Sequence, residues 1–315
     1  MSYVADFVPL VDKGTLTHFA SRNSRWCDDD LIKLLAQLKS LESVDIGNNP
    51  LVSTHGVAAL LTLPTIQRIV APLSMENGVR LRDVPACSID FEKKAWHALR
   101  TSTVEYLDVS YRAGFTDDHA YLVMKRAMVK EARLRGMSEL GPAGLSFLSK
   151  TPSLRRLDIG DCERLLVDTV GFIAVGSTIE DLTYGAFHMS TKSEVNESLA
   201  HIWKRTTVRH VTVGLNTTKL SEWSLEKVDL KSLTLELSSS QSDLDLADFA
   251  SGIASKDSGI GTLTIRGASK RQVLALLPLV SAGPHDTLRF VRCEMEQKTF
   301  DRLGAIQTKK RVVID

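Results

Sequence analysis

The amino-acid sequence predicts an α/β solenoid in which one strand–turn–helix unit is repeated along the chain. Apolar residues recur in one pattern, at intervals of 25 residues over most of the first half. After each pattern the apolar spacing changes to that of a helix. The 315 residues contain no Pro/Gly/Ser-rich linker. We therefore expect one continuous array rather than separate domains.

The strand half of the unit has apolar residues at positions 0, 3 and 5, counted from the first residue of the pattern. Leu154, Leu157 and Ile159 show this spacing, and Cys162 follows at position 8. Positions 3 and 5 share one face of a strand, so their side chains are expected to be buried. The position 8 residue is expected to fill the turn. The predicted units begin at Leu16, Leu41, Ile66, Val104, Val129, Leu154, Ile179, Val208, Leu230, Ile260 and Leu288.

The helix half has apolar residues at positions 11, 16 and 19. Clear examples are "VSTHGVAAL" (52–60), "FTDDHAYLV" (115–123) and "LGPAGLSFL" (140–148). A further helix is expected within 90–100. In "CDDDLIKLLAQL" (27–38) we interpret the aspartates as caps of a helix N-terminus rather than as metal ligands, because Asp accepts hydrogen bonds from the exposed N–H groups there.

This pattern resembles the leucine-rich repeat family, whose motif is LxxLxLxxN/C. The 25-residue period is most similar to the cysteine-containing and ribonuclease-inhibitor-like subtypes. The resemblance implies an α/β horseshoe with parallel strands on the concave face and helices on the convex face. The predicted starts give about eleven repeats.

The predicted organisation is a single solenoid over 1–315. Residues 1–15 are expected to form an N-terminal cap. An insertion loop at 74–88 stretches the third unit to 38 residues. Residues 190–315 are expected to form more irregular repeats and a C-terminal cap, and the last residues, "KKRVVID", to form an edge strand or part of that cap.

The candidate binding surface is the concave face that the resemblance implies. By strand alternation, positions 2, 4 and 6 point outward there. In the middle repeats these rows combine aromatic residues with arginine, the residue types that anchor protein interfaces. A solvated strand face with compensating charges is the alternative. The predicted contacts are Arg68, Tyr106, Asp108, Tyr111, Arg133, Arg135, Arg156, Asp158 and Asp181.

The insertion at 74–88 is a second candidate surface, because insertions in solenoid repeats map to loops on one edge. Arg80 and Arg82 are its expected contacts. A loop that packs back on the array is the alternative.

Composition excludes several function classes. The net charge of +1 gives no strong field for nucleic acid, and no run of about 18 apolar residues predicts a membrane span. The four cysteines are widely spaced, without zinc-like spacing. Nucleotide-binding, metalloprotease and hydrolase motifs are missing. We expect a non-enzyme that needs no cofactor or metal. The N-terminus lacks a signal-peptide pattern, which favours a cytoplasmic or cytoskeletal location.

The leading hypothesis is a non-catalytic scaffold or adaptor that binds a protein partner. The resemblance leaves three further roles open. One is a substrate receptor of a ubiquitin ligase, although no F-box is apparent ahead of residue 16. Another is a Ran-type GTPase-activating protein, whose family usually has an acidic C-terminal region that "KKRVVID" does not match. The third is a cytoskeletal or flagellar subunit. The partner's identity and the oligomeric state stay open.

Overall fold

The structure is a computed structural model, and it falls into two compact units, Met1–Arg164 and Leu165–Asp315. The residues that it describes are 14–73, 75–76, 79–80, 93–126, 128–165, 173, 177–185, 207–215, 229–238, 241–253, 259–282, 285–296, 298–299, 301, 303 and 311–315. The predicted N-terminal cap lies almost wholly outside these residues. The single continuous array stays a prediction.

Six short parallel strands form the sheet of the first unit, one from each of the first six predicted repeats. The position 3 residue of each strand lies opposite position 3 of the next strand in the chain, as the repeat predicts. These strands are β1 (His18–Ala20), β2 (Ser43–Asp45), β3 (Arg68–Val70), β6 (Tyr106–Asp108), β7 (Glu131–Arg133) and β8 (Arg156–Asp158). Between β3 and β6, a separate antiparallel pair joins β4 (Met75–Glu76) to β5 (Val79–Arg80).

Helices alternate with these strands along the chain and pack on one another. They are α1 (Asp29–Leu35), α2 (Thr54–Leu61), α3 (Asp117–Arg126) and α4 (Pro142–Ser149), with a 3-10 helix at Trp96–Arg100. The capping interpretation is confirmed, because the Asp28 carboxylate accepts a hydrogen bond from the Leu31 N–H at 3.0 Å. Within the described part of the chain, no helix has the length and apolar character required to cross a bilayer.

In its described residues, the second unit also contains six parallel strands. They are β9 (Asp181–Gly185), β10 (His210–Leu215), β11 (Asp229–Leu237), β12 (Gly259–Arg266), β13 (His285–Val291) and β14 (Arg311–Ile314). Its helices are α5 (Asp243–Ile253), α6 (Lys270–Ala275) and α7 (Pro278–Ala282). The C-terminal residues form β14, which pairs with β13 as an edge strand, one of the two predicted outcomes. The predicted fold class, an α/β leucine-rich repeat solenoid with parallel strands, is confirmed.

The predicted start of the last repeat is wrong by three residues. Leu288 and Phe290 lie opposite positions 3 and 5 of the preceding repeat, and both are buried. The repeat therefore begins at His285, a buried histidine where other repeats have an apolar residue. Cys293, which the predicted start would put at position 5, is at position 8.

Position 8 joins consecutive repeats at several points of the first and second units. In four pairs of repeats its side chain donates a hydrogen bond, and the acceptor is the backbone carbonyl at position 5 of the preceding repeat. The observed pairs are Asn49 to Ser21, Arg112 to Ala71, Cys162 to Leu134 and Cys293 to Ile265. Burial raises the pKa of the Cys162 thiol to about 12, so the thiol stays protonated. The prediction that Cys162 fills a turn is confirmed.

Position 7 makes a left-handed turn after the strand in seven repeats of the described part of the chain, with φ from +52° to +73°. Glycine, asparagine and aspartate tolerate this region, whereas bulky residues do so at an energetic cost. The residues are Asn23, Asn48, Tyr111, Gly136, Asp161, Gly267 and Arg292.

His119 connects the start of α3 to the segment after the insertion. Its Nδ1 accepts a hydrogen bond from the Thr116 N–H at 3.0 Å, and its Nε2 donates to the Lys93 carbonyl at 2.8 Å. This arrangement requires the neutral ring, because protonating Nδ1 would remove the acceptor. Burial is the main cause that lowers the pKa of His119 to about 4.

We expect the protein to lose stability as the pH falls from 6.5 towards 4. In this window an unfolded His119 takes up a proton and the folded one does not, so acid favours unfolding; above pH 6.5 the effect is absent. The loss should be about 2 kcal/mol in urea unfolding curves at the two pH values. His119→Gln should remove that part of the pH dependence. An unchanged dependence in the variant would contradict the assignment to His119.

Candidate protein-binding face

Strand pairing in the first unit builds a solvent-facing row of side chains. Position 2 residues of four consecutive strands lie opposite one another, in the order Arg68, Tyr106, Glu131 and Arg156. Neighbouring strands are about 4.8 Å apart, so long side chains in such a row touch. We call this row, together with Arg133 at position 4 of β7, the strand face.

Tyr106 lies between two guanidinium groups. The Arg68 Cζ is 3.7 Å from the centre of the Tyr106 ring, and the Arg133 Cζ is 5.6 Å away on the next strand. Burial is the main cause that raises the pKa of the Tyr106 hydroxyl, against the lowering effect of Arg133, so the phenol stays neutral. The ring and the two cations therefore form one stacked, partly exposed group.

Glu131 joins the other end of the strand face. Its carboxylate lies 2.9 Å from the Arg133 guanidinium and 3.4 Å from that of Arg156. Glu131 was not among the predicted contacts, although its position 2 register was a signal for it. Arg68, at the opposite end, stacks on Tyr106 and is exposed. Asp108 and Asp158 flank Arg133 at position 4 of the neighbouring strands, so the charges of this region are largely compensated.

The predicted role of Asp108 needs correction. Its side chain is buried, because the carboxylate accepts hydrogen bonds from the Ser110 hydroxyl at 2.9 Å and from the Ser110 N–H at 3.3 Å. Asp45 and Asp158 make the corresponding bond to the N–H at position 6 of their own repeats. These aspartates at position 4 stabilise the turn after the strand, and Asp108 is not available to a partner.

Tyr111 and Arg135 are also engaged inside the first unit. Tyr111 stands at position 7, and its hydroxyl donates to the Asp161 carboxylate at 2.6 Å. The Arg135 guanidinium pairs with the same carboxylate at 3.0 Å. The Tyr111 ring lies against Gly136. The three side chains form a cluster beyond the strand ends, and sequence reasoning missed Asp161.

Three predicted contacts lie elsewhere. Asp181 begins β9 in the second unit, where its carboxylate is 4.0 Å from the His210 ring. Arg80 lies on β5, but its side chain is outside the described residues. Arg82 is outside them altogether. The insertion as a binding surface stays a prediction.

No protein-family model and no curated protein matches the sequence. A crystal structure of the yeast Rad7–Elc1 complex contains a similar fold. This chain is 14% identical in sequence to the matched chain of that structure. The match covers 99% of this chain and 83% of the matched chain, with a TM-score of 0.51. The similarity supports the repeat fold, while the cysteine-containing or ribonuclease-inhibitor-like subtype stays a prediction.

Proposed function

We propose that this chain is a non-catalytic scaffold or adaptor subunit that binds a protein partner through the strand face of its first unit. The observation that carries the proposal is the stack of Arg68, Tyr106 and Arg133. Arginine and tyrosine are enriched among the residues that dominate the energetics of protein interfaces. Tyrosine also buries a large area at a small cost in side-chain entropy.

The described residues favour a binding role over chemistry. Among them, no group of three or more His, Cys, Asp or Glu side chains could hold a metal ion. Burial, with a smaller effect of Asp28, raises the pKa of the Cys27 thiol to about 12. Burial likewise keeps the Cys162 thiol protonated. Neither thiol is poised as a nucleophile. We place the protein in the cytoplasm, where reduced thiols persist.

Replacing Tyr106 with alanine and Arg133 with glutamate should reduce recovery of the partner at least about tenfold, the effect of losing one interface hot spot. Affinity purification with quantitative mass spectrometry measures this. The matched control is Arg271→Glu with Leu274→Ala on α6, which makes the same charge change and removes an exposed apolar side chain. Equal recovery with both variants would count against the strand face.

A substrate receptor of a ubiquitin ligase is the second candidate. The structural comparison favours it over a GTPase-activating or cytoskeletal role in one respect, since the similar chain was determined in a complex, Rad7 with Elc1. The same purification tests it. Ligase subunits should appear with the wild-type chain, and a set of partners without them would reject this candidate while leaving the scaffold proposal standing.

A further inference from the structure

Strand β14 forms an open edge of the sheet in the second unit. Among the strands that the structure describes, β14 has a neighbour on one side only, which is β13. Leu288 and Phe290 of β13 are fully buried, whereas Val312 and Ile314, which lie opposite them, are only half-buried. The apolar rows of the repeats are therefore incompletely covered at β14. A strand edge of this kind is a template for pairing with another strand.

The backbone of β14 presents hydrogen-bonding groups at this open edge. The Asp315 N–H donates to the Phe290 carbonyl at 2.9 Å, and the Asp315 carbonyl accepts from the Arg292 N–H at 3.1 Å, so both groups face β13. Alternate residues of a strand direct these groups to opposite sides. The N–H and C=O groups of Val312 and Ile314 therefore point away from β13. Each of these two residues offers one donor and one acceptor to a further strand.

The sequence of β14 is complementary to an antiparallel copy of itself. When Val313 lies opposite Val313 of a second copy, Val312 of each copy lies opposite Ile314 of the other. These are the residues whose backbone groups face the open edge, so each such pair exchanges two main-chain hydrogen bonds. The register that centres on Val313 therefore uses every backbone group that Val312 and Ile314 present.

The charges at the two ends of β14 favour the antiparallel orientation. In the register centred on Val313, Arg311 of each copy lies opposite Asp315 of the other. Both side chains are exposed. The Asp315 carboxylate also pairs with Arg289 of β13, and a carboxylate has lone pairs for a second guanidinium. Parallel pairing would instead place Arg311 beside its own copy, and like charges on adjacent strands are unfavourable.

We propose that β14 is a homodimer interface, in which it pairs antiparallel with β14 of a second copy of this chain about a two-fold axis at Val313. The open backbone groups and the uncovered apolar rows carry this inference, and the charges select the orientation. A two-fold contact closes on itself, so the assembly is a dimer rather than a growing chain. The proposal does not depend on the strand face of the first unit, so either can fail while the other stands.

Sedimentation equilibrium of the full chain tests the dimer. A single pair of short strands is a small interface, so we expect a dissociation constant of about 100 µM or lower. Val312→Pro removes a donor that faces the open edge, and edge strands tolerate proline. It should weaken the dimer at least about tenfold, whereas Val312→Ala, which keeps the N–H, should dimerise. A wild-type chain that stays monomeric at about 1 mM, or that forms larger assemblies, overturns the proposal.

Two charge variants test the antiparallel orientation. Arg311→Asp places carboxylates opposite each other at both ends of the paired strands, and Asp315→Arg places guanidinium groups there. Each variant alone should dimerise about tenfold more weakly than the wild type. An equal mixture restores an opposite-charge pair at both ends, so a heterodimer should form. Thermal unfolding of both variants should stay close to that of the wild type, because both side chains are exposed. A mixture that dimerises no better than its components would overturn the antiparallel pairing.

Val313→Cys tests the register itself. In the proposed pairing residue 313 faces its own copy in a non-hydrogen-bonded pair, with about 4.5 Å between Cα atoms, which is within the range of a disulfide. Mild oxidation should therefore link the Val313→Cys chains into dimers. Arg311→Cys lies on the same face of β14 but opposite residue 315, so it should link far less. Equal linking of the two variants, or no more linking than in the wild type, would contradict a two-fold axis at Val313.

Discussion

Replacing Arg112 with alanine is expected to lower the free energy of unfolding by about 3 kcal/mol, because it leaves buried carbonyl groups without donors. The Arg112 side chain is 2% exposed. Its Nε donates to the Ala71 carbonyl at 2.5 Å and its Nη1 to the Val52 carbonyl at 2.7 Å. These two acceptors belong to different preceding repeats.

Arg112 occupies position 8, where three other described repeats have Asn49, Cys162 and Cys293. Those shorter side chains reach one carbonyl of the preceding repeat, as Asn49 does. The Arg112 bond to the Ala71 carbonyl corresponds to the Asn49 bond. The longer arginine side chain adds a second bond, to the Val52 carbonyl. Arg112→Asn should therefore lose less stability than Arg112→Ala, since asparagine can keep the bond to Ala71. Arg112→Met, which keeps the volume and removes both bonds, should resemble the alanine variant.

Urea unfolding of these variants provides the measurement. The control is Arg155→Ala, which removes an exposed arginine and should change the free energy of unfolding by no more than about 0.5 kcal/mol. If Arg112→Ala lowered the free energy of unfolding by as little as the control does, Arg112 would not link the repeats.

Replacing Gly136 with alanine should destabilise the first unit by about 3 kcal/mol, through backbone strain and overpacking together. Gly136 has φ +68°, and a Cβ there would lie 2.1 Å from Cδ1 of the Tyr111 ring. The ring cannot easily move aside, because its hydroxyl is bonded to Asp161. Thermal or urea unfolding measures the loss.

Gly267 supplies a matched control for Gly136. It occupies the same repeat position with φ +73°, but the nearest atom to an added Cβ is 3.5 Å away. Gly267→Ala should cost about 1 kcal/mol, from backbone strain alone. Gly136→Ala in a Tyr111→Ala background should fall to a similar cost, because the clash is gone. If Gly136→Ala remained equally costly without the ring, the contact with Tyr111 would not be the cause.

The repeat was predictable from sequence because burial imposes a strict pattern on it. The residues at positions 3 and 5 fill the core, as Leu157 and Ile159 do. Apolar residues with this spacing therefore identify a repeat wherever the pattern is regular. The last repeat was misplaced because a buried histidine, His285, replaces the apolar residue at position 0. The pattern then fitted Leu288 equally well, three residues later.

The candidate site was harder to predict. The alternation of strand residues shows which side chains point outward, but it does not show which of them are exposed to solvent. Arg68, Tyr106 and Arg133 were placed together on the outward side, as the register required. The same rule did not show that Asp108 is covered and bonded to Ser110. Such local bonds depend on turn geometry, which the apolar pattern does not encode.

Site-specific photo-crosslinking tests the strand face as a protein-binding surface most directly. The photoreactive amino acid p-benzoyl-phenylalanine, placed at Tyr106, keeps an aromatic side chain between Arg68 and Arg133. The same amino acid at Leu274 on α6, which is 38% exposed, is the control position. We predict that irradiation in cells links a discrete protein to position 106 and not to position 274. A chain that crosslinks to nothing at position 106, or to the same proteins at both positions, would contradict the proposal.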